Sequence, residues 1–234
     1  MPTYTPQQYA ARDHIVLNLA GSFRILIPRC AAHAVSAGKP LTHALNRLTD
    51  DGDLVRHERW LPGGLTAYTI SASAAQRLGF PRDRAEVPAG AALDAAIAVQ
   101  VFCHLGRHPR HRLSSEEAAS LLDRAAPANV PFVMSDEFGS ATVFRTMLVA
   151  DRAPAEVVRH LRTVIEQGER QAKLAAWITS RQLGFAMLAP TLQYATALEK
   201  AVARRRLRER AAVIIDVGPD AEHLAEFLKA GKGK

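Results

Sequence analysis

Apolar residues recur at helical spacing through the first fifty positions, and then the period changes to two. Tyr9, Ile15, Val16 and Leu19 line one face of a helix that Thr5-Pro6 opens and Gly21 closes. Ile25, Ile27 and Pro28 lead into a short Ala-rich segment that runs through Val35 to Gly38. Pro40 opens a third helix, in which Leu41, Ala44, Leu45 and Leu48 form the inner face and Asp50-Asp51-Gly52 the stop. Leu54 and Val55 begin a strand, Pro62-Gly63-Gly64 turns it, and Leu65, Ala67, Tyr68 and Ile70 return it. Ser71 and Ser73 are placed to cap a short helix over 74–78. Helix, helix, helix, hairpin, helix is the layout of a winged helix-turn-helix, predicted over residues 1–84.

Residues 82–89 are charged and contain Pro88, so 85–112 reads as a linker helix (91–105) followed by a basic loop. From 113 to 234 helices and strands alternate. Ser114-Ser115-Glu116-Glu117 caps a helix to about 124, and 130–134 and 142–149 are strands. Pro154 opens a long helix to 173, followed by strand 185–188, helix 192–208, strand 213–217 and helix 221–228. The expected class is α+β: a winged helix joined to an α/β domain with a small mixed sheet. The stripe Val157, Leu161, Val164 and Ile165 is more than one small sheet would cover, which predicts a homodimer held by the C-terminal domain.

Composition narrows the class. Hydrophobic residues make up 48% and charged residues 23%, ordinary for a chain with a real core. The net charge of +7 favours polyanions, with nucleic acid first and an anionic membrane surface second. The longest apolar stretch, 89–105, is broken by Asp94 and Gln100 and predicts no membrane span. The N-terminus has no signal-peptide pattern, and Cys30 and Cys103 stand alone, which fits a reduced, cytoplasmic compartment.

In a winged helix the recognition helix offers Lys39, Thr42, His43, Asn46 and Arg47 to the major groove, where Arg and Lys read guanine and Asn reads adenine. The wing offers Arg56, His57, Arg59 and Trp60 to phosphates. Arg204, Arg205 and Arg206 begin the densest basic run, a grip for phosphates or an exposed helix end. Against this, Asp50, Asp51 and Asp53 repel phosphate, and the same face would serve a protein-binding scaffold. His104, His108 and His111 lack a carboxylate or Cys to complete a ligand set, and Pro109 interrupts their helical spacing, so no metal is expected. No nucleophile motif or phosphate-binding Gly-rich loop is present, which predicts a protein that is not an enzyme and carries no cofactor. The rival is a metal-dependent nuclease using Asp136 and Asp151, without the Lys such a site wants.

The segments Tyr4-Thr5-Pro6-Gln7-Gln8, 44–56 (ALNRLTDDGDLVR), Tyr68-Thr69-Ile70-Ser71 and Ala75-Gln76-Arg77-Leu78-Gly79 resemble the replication-relaxation family of plasmid and mobile-element proteins. The resemblance covers about the first third of the chain. It implies double-stranded DNA as partner, a role as transcriptional regulator or accessory factor in plasmid replication or conjugative mobilisation, and contact with other mobilisation or replication proteins. It also implies a second domain similar to the restriction-endonuclease fold with an eroded active site. Asp151 matches the second acid of the family's pair, and Val149 replaces the first.

Overall fold

The computed structural model describes residues 6–106, 108–122, 130–149 and 152–231, a mixed α and β chain with a two-stranded and a five-stranded sheet. Helices α1 (Pro6–Phe23), α2 (Pro28–Ser36) and α3 (Thr42–Asp50) come first. Strands β1 (Leu54–Leu61) and β2 (Leu65–Ile70) then pair antiparallel across a tight turn, Pro62–Gly64, before α4 (Ala72–Arg77). Ser71 caps α4 as expected, accepting the Ala74 N–H at 3.2 Å, whereas Thr5 lies outside the described residues. Leu26 adds a one-residue rung to the hairpin: its N–H and C=O both bond Tyr68, at 2.7 and 3.0 Å. Val16, Leu17, Leu45, Leu48, Leu54 and Ile70 close the interior of this part.

The second part runs α5 (Ala91–His104), β3 (His111–Leu113), α6 (Ser115–Leu121), β4 (Phe132–Ser135), β5 (Thr142–Leu148), α7 (Pro154–Glu169), α8 (Ala172–Thr179), β6 (Leu183–Ala189), α9 (Leu192–Arg204), α10 (Leu207–Arg210), β7 (Ala212–Val217) and α11 (Leu224–Ala230). The sheet order is β3-β4-β5-β6-β7, antiparallel up to β5 and parallel from there. The two-residue period sends Val143, Phe185, Met187 and Val213 to the face covered by α7 and α9. Phe144, Ala186, Leu188 and Ile214 meet Phe23, Ala98, Val99 and Phe102 on the other. Helices on both faces of the strands explain why β6 is apolar throughout and buried at all seven positions.

Four expectations change. The helix expected over 154–173 is two, broken after Glu169, and β3 stands where a basic loop is expected. The stripe of α7 is buried within the chain, Leu161 and Ile165 completely, because five strands and α8 and α9 cover it. It gives no surplus apolar surface for a dimer. The helix expected to be a connector is interior: all eight residues from Ala96 to Cys103 in α5 are buried, among them both faces of a helix that packs on α1 and α2 and on the sheet.

At the centre of α5 is Gln100, fully buried. Its Oε1 accepts the Ile27 N–H at 2.9 Å and its amide donates to the Ile25 C=O at 3.0 Å. The C-terminal α11 closes the same region. Arg29 donates to the C=O of Leu228 and, at 2.6 Å, of Gly231, while Asp94 Oδ1 accepts the Ala221 N–H at 3.0 Å. Gly63, at φ 74°, sits so close to α11 that a Cβ would lie 2.5 Å from that of Ala225. The hairpin tip therefore rests against α11 on one side, while Pro62, Gly63 and Gly64 stay exposed on the other. Replacing Gln100 by Leu strands a buried N–H and a buried C=O together; at ~1–3 kcal/mol each the expected loss is about 2–6 kcal/mol, read from urea unfolding.

Candidate nucleic-acid interface

The outer face of α3 is built by the periodicity of its inner one. Leu41, Ala44, Leu45 and Leu48 are buried, which leaves Thr42, His43 and Asn46 exposed on one face, with Lys39 exposed just ahead of the helix. Asp50 and Asp51 are exposed at the opposite end of α3. The N-terminal half of the helix is thus free of acids.

Arg47 does not belong to that face. It is half-buried and hydrogen-bonded to Asp13 of α1, so it ties α3 to α1 where the sequence offered it to bases. On the hairpin, Arg56 is exposed and pairs with Glu58 at 3.3 Å. His57 is half-buried, its Nε2 3.0 Å from Thr69 Oγ1 and its ring against Trp60, and burial lowers its pKa. Arg59 sits exposed on a bulge at φ 48°, where the β1–β2 register shifts. Of the two wing arginines, Arg59 is the one without an acid partner among the described residues. Asp53, expected to repel phosphate, pairs with Arg77 at 2.8 Å.

The arginine run lies on the layer across the sheet from α1 and α5, at the end of α9. Arg204 and Arg205 are exposed, while Arg206 pairs with Glu209 at 2.7 Å, Arg208 with Glu199 at 2.8 Å and Arg210 with Glu169. Much of its charge is answered locally.

Sequence reasoning missed Arg110. It is buried and donates to the Phe102 C=O at 3.0 Å, to Asp216 at 3.1 Å and to Glu137 at 3.0 Å, joining α5, β7 and the β4–β5 turn. Gly106 makes room for it, since a Cβ there would stand 2.3 Å from Arg110 Nη1. The only sequence signal was a glycine ahead of a basic run.

Asp136 is exposed on the turn before β5, whereas Val149 follows the far end of that strand, ~20 Å along it. Asp151 lies outside the described residues. Among the described residues no group of three or more His, Cys, Asp or Glu is placed to hold a metal, and no helix is long and apolar enough to cross a membrane. Cys30 and Cys103 are buried thiols, and burial raises both pKa values.

No known protein family matches this chain, and neither does any curated protein or solved structure.

His104 carries a pH dependence. Burial first, then the nearby His111 and His33, lower its pKa from 6.5 to about 4, and its Nε2 is buried without a partner. The unfolded chain therefore takes up the proton first as pH falls. The contribution of His104 is complete above pH 6.5 and is lost between 6.5 and about 4, at most about 3 kcal/mol. His104→Phe should flatten the fall in urea stability between pH 7 and pH 5; an unchanged slope would assign it elsewhere.

Proposed function

We propose that the chain binds double-stranded DNA sequence-specifically, with residues 1–84 acting as a winged helix and α3 as its reading element. The observation that carries this is the uncovered, acid-free N-terminal half of α3, with Lys39, Thr42, His43 and Asn46 exposed over a buried apolar face. In helix-turn-helix proteins it is the N-terminal part of the recognition helix that meets base edges. The Leu26–Tyr68 rung beside β1–β2 supports the winged-helix reading, and the +7 charge supports the polyanion. Arg59 serves general phosphate contact, from a hairpin whose tip leans on α11. The role follows the resemblance in the sequence: a transcriptional regulator, or an accessory factor in plasmid replication or mobilisation.

A second copy completes the reading, because a two-fold DNA site is matched by a symmetric pair. The surface that supports it is the outer edge of β7, beside a cleft of about 550 Å³. Gly218 N–H reaches Ala189 C=O at 2.8 Å, so even-numbered positions face β6 and Val213, Ile215 and Val217 turn their polar groups outward. Arg208 satisfies the Val213 C=O at 3.2 Å and Asp216 the Val217 N–H at 2.8 Å. Ile215 is left to pair with its copy.

Fluorescence anisotropy with duplex DNA tests the first proposal. Lys39→Ala and Arg59→Ala should weaken all sequences alike and each lower the salt slope by about one. Asn46→Ala should cost about 1–3 kcal/mol at an adenine position and relax preference there. No binding to any duplex at low salt would end the DNA reading. For the pair, light scattering at micromolar concentration should give a dimer that Ile215→Pro converts to monomer, since an outward-facing edge position tolerates Pro. A monomeric parent protein would remove the second copy.

A further inference from the structure

Three guanidinium groups converge on the C-terminal end of α1, and among the described residues no acid is paired with any of them. Arg24 follows the helix at φ 64°, and its Nε is buried without a hydrogen-bond partner. Arg84, from the 3-10 turn Arg82–Ala85, donates to the Ser22 C=O at a long 3.4 Å. Arg112, half-buried on β3, lies 5.2 Å from the centroid of the Phe23 ring and, among the described residues, has neither hydrogen-bond nor carboxylate partner. His104 meets the same ring at 5.2 Å from its own side. Burial, and the repulsion of Arg84 and Arg24, bring the pKa of Arg112 down to about 10.

Arg110, two residues away, shows what this chain does with a buried guanidinium it means to neutralise: two carboxylates meet it. The C-terminal carbonyls of α1 offer the other three only a partial charge, roughly half an elementary charge. Partly buried cations gathered without counter-charge are costly unless an anion joins them.

We propose that Arg24, Arg84 and Arg112 form a binding site for a phosphate-bearing anion, in the seam between α1, the Arg82–Ala85 turn and β3. The guanidinium fork matches phosphate oxygens in bidentate geometry, and three forks suit a group with several such oxygens better than a single carboxylate. β3 is the outer strand of its sheet, so the seam opens on one side. The phosphate is that of a small soluble compound or of a duplex backbone; the site does not depend on the DNA reading.

Thermal unfolding of the full chain in sodium pyrophosphate, against sodium chloride of equal ionic strength, tests it. Pyrophosphate should raise Tm by about 5 °C over chloride near saturation, and Arg112→Gln and Arg84→Gln should each erase that rise. Arg84→Gln, on a surface turn, keeps the test available where Arg112→Gln fails to fold. Duplex anisotropy separates the sources: a tenfold loss of affinity in either variant assigns the site to backbone phosphate, and unchanged affinity beside a lost pyrophosphate effect assigns it to a soluble compound. A rise that persists in both variants overturns the proposal, as does the absence of any rise together with unaltered duplex affinity.

Discussion

Leu26 turns its N–H and C=O towards the hairpin, and backbone geometry then obliges Ile25 C=O and Ile27 N–H to face the other way, into a region without water. A strand at that edge would satisfy them, but what lies there is a helix whose own backbone groups are already used. The carboxamide of Gln100 resolves the conflict, since it carries one acceptor and one donor at nearly the spacing of a peptide group. Everything that holds the first hundred residues against the sheet is arranged around this contact. Ile97 and Val101 pack towards Ile25, Cys30 and Leu224, while Ala98 and Phe102 pack towards the sheet. A polar residue in the otherwise apolar stretch Ala96–Cys103 thereby sets the height and rotation of α5.

Charge is treated differently in neighbouring places, and the difference separates structure from surface. Arg110 is enclosed and answered by two acids, so it acts as a rivet. Arg206, Arg208 and Arg210 are answered by acids at the surface, where such pairs add at most about 1 kcal/mol each and mainly lower the local field. Lys39, Arg59, Arg204 and Arg205 stand exposed with no acid held against them among the described residues, which leaves their charge available to a polyanion. The net positive charge is therefore not spread evenly over the basic residues that the sequence contains.

Features set by near neighbours were legible from residue order. The inner and outer faces of α3 follow from the spacing of four apolar residues. The Ser114–Glu117 capping box forms as its motif implies, with Ser114 N–H to Glu117 at 2.7 Å and Glu117 N–H to Ser114 at 3.1 Å. What failed to show depends on residues far apart. Arg47 finds Asp13 across 34 positions and Arg110 finds Asp216 across 106, and nothing local distinguishes either from a free cation. β3 is three residues long and polar at two of them, so only its pairing with β4 makes it a strand. The stripe on α7 looked excessive because the number of strands beneath it is a property of the whole chain.

The cover that α11 places over the hairpin reaches back about 160 residues along the chain. Leu61 and Leu65 meet Leu224 and Phe227 only once that last helix exists. At ~5–20 residues per second, synthesis leaves this apolar patch bare for roughly 8–30 s after the hairpin has emerged, far longer than a hairpin needs to form. The nascent protein thus carries a finished fold element with an unfinished surface. During that interval the ribosome-bound chain is a substrate for whatever in the cell shields exposed hydrocarbon, and its safe maturation is a matter of timing as much as of stability.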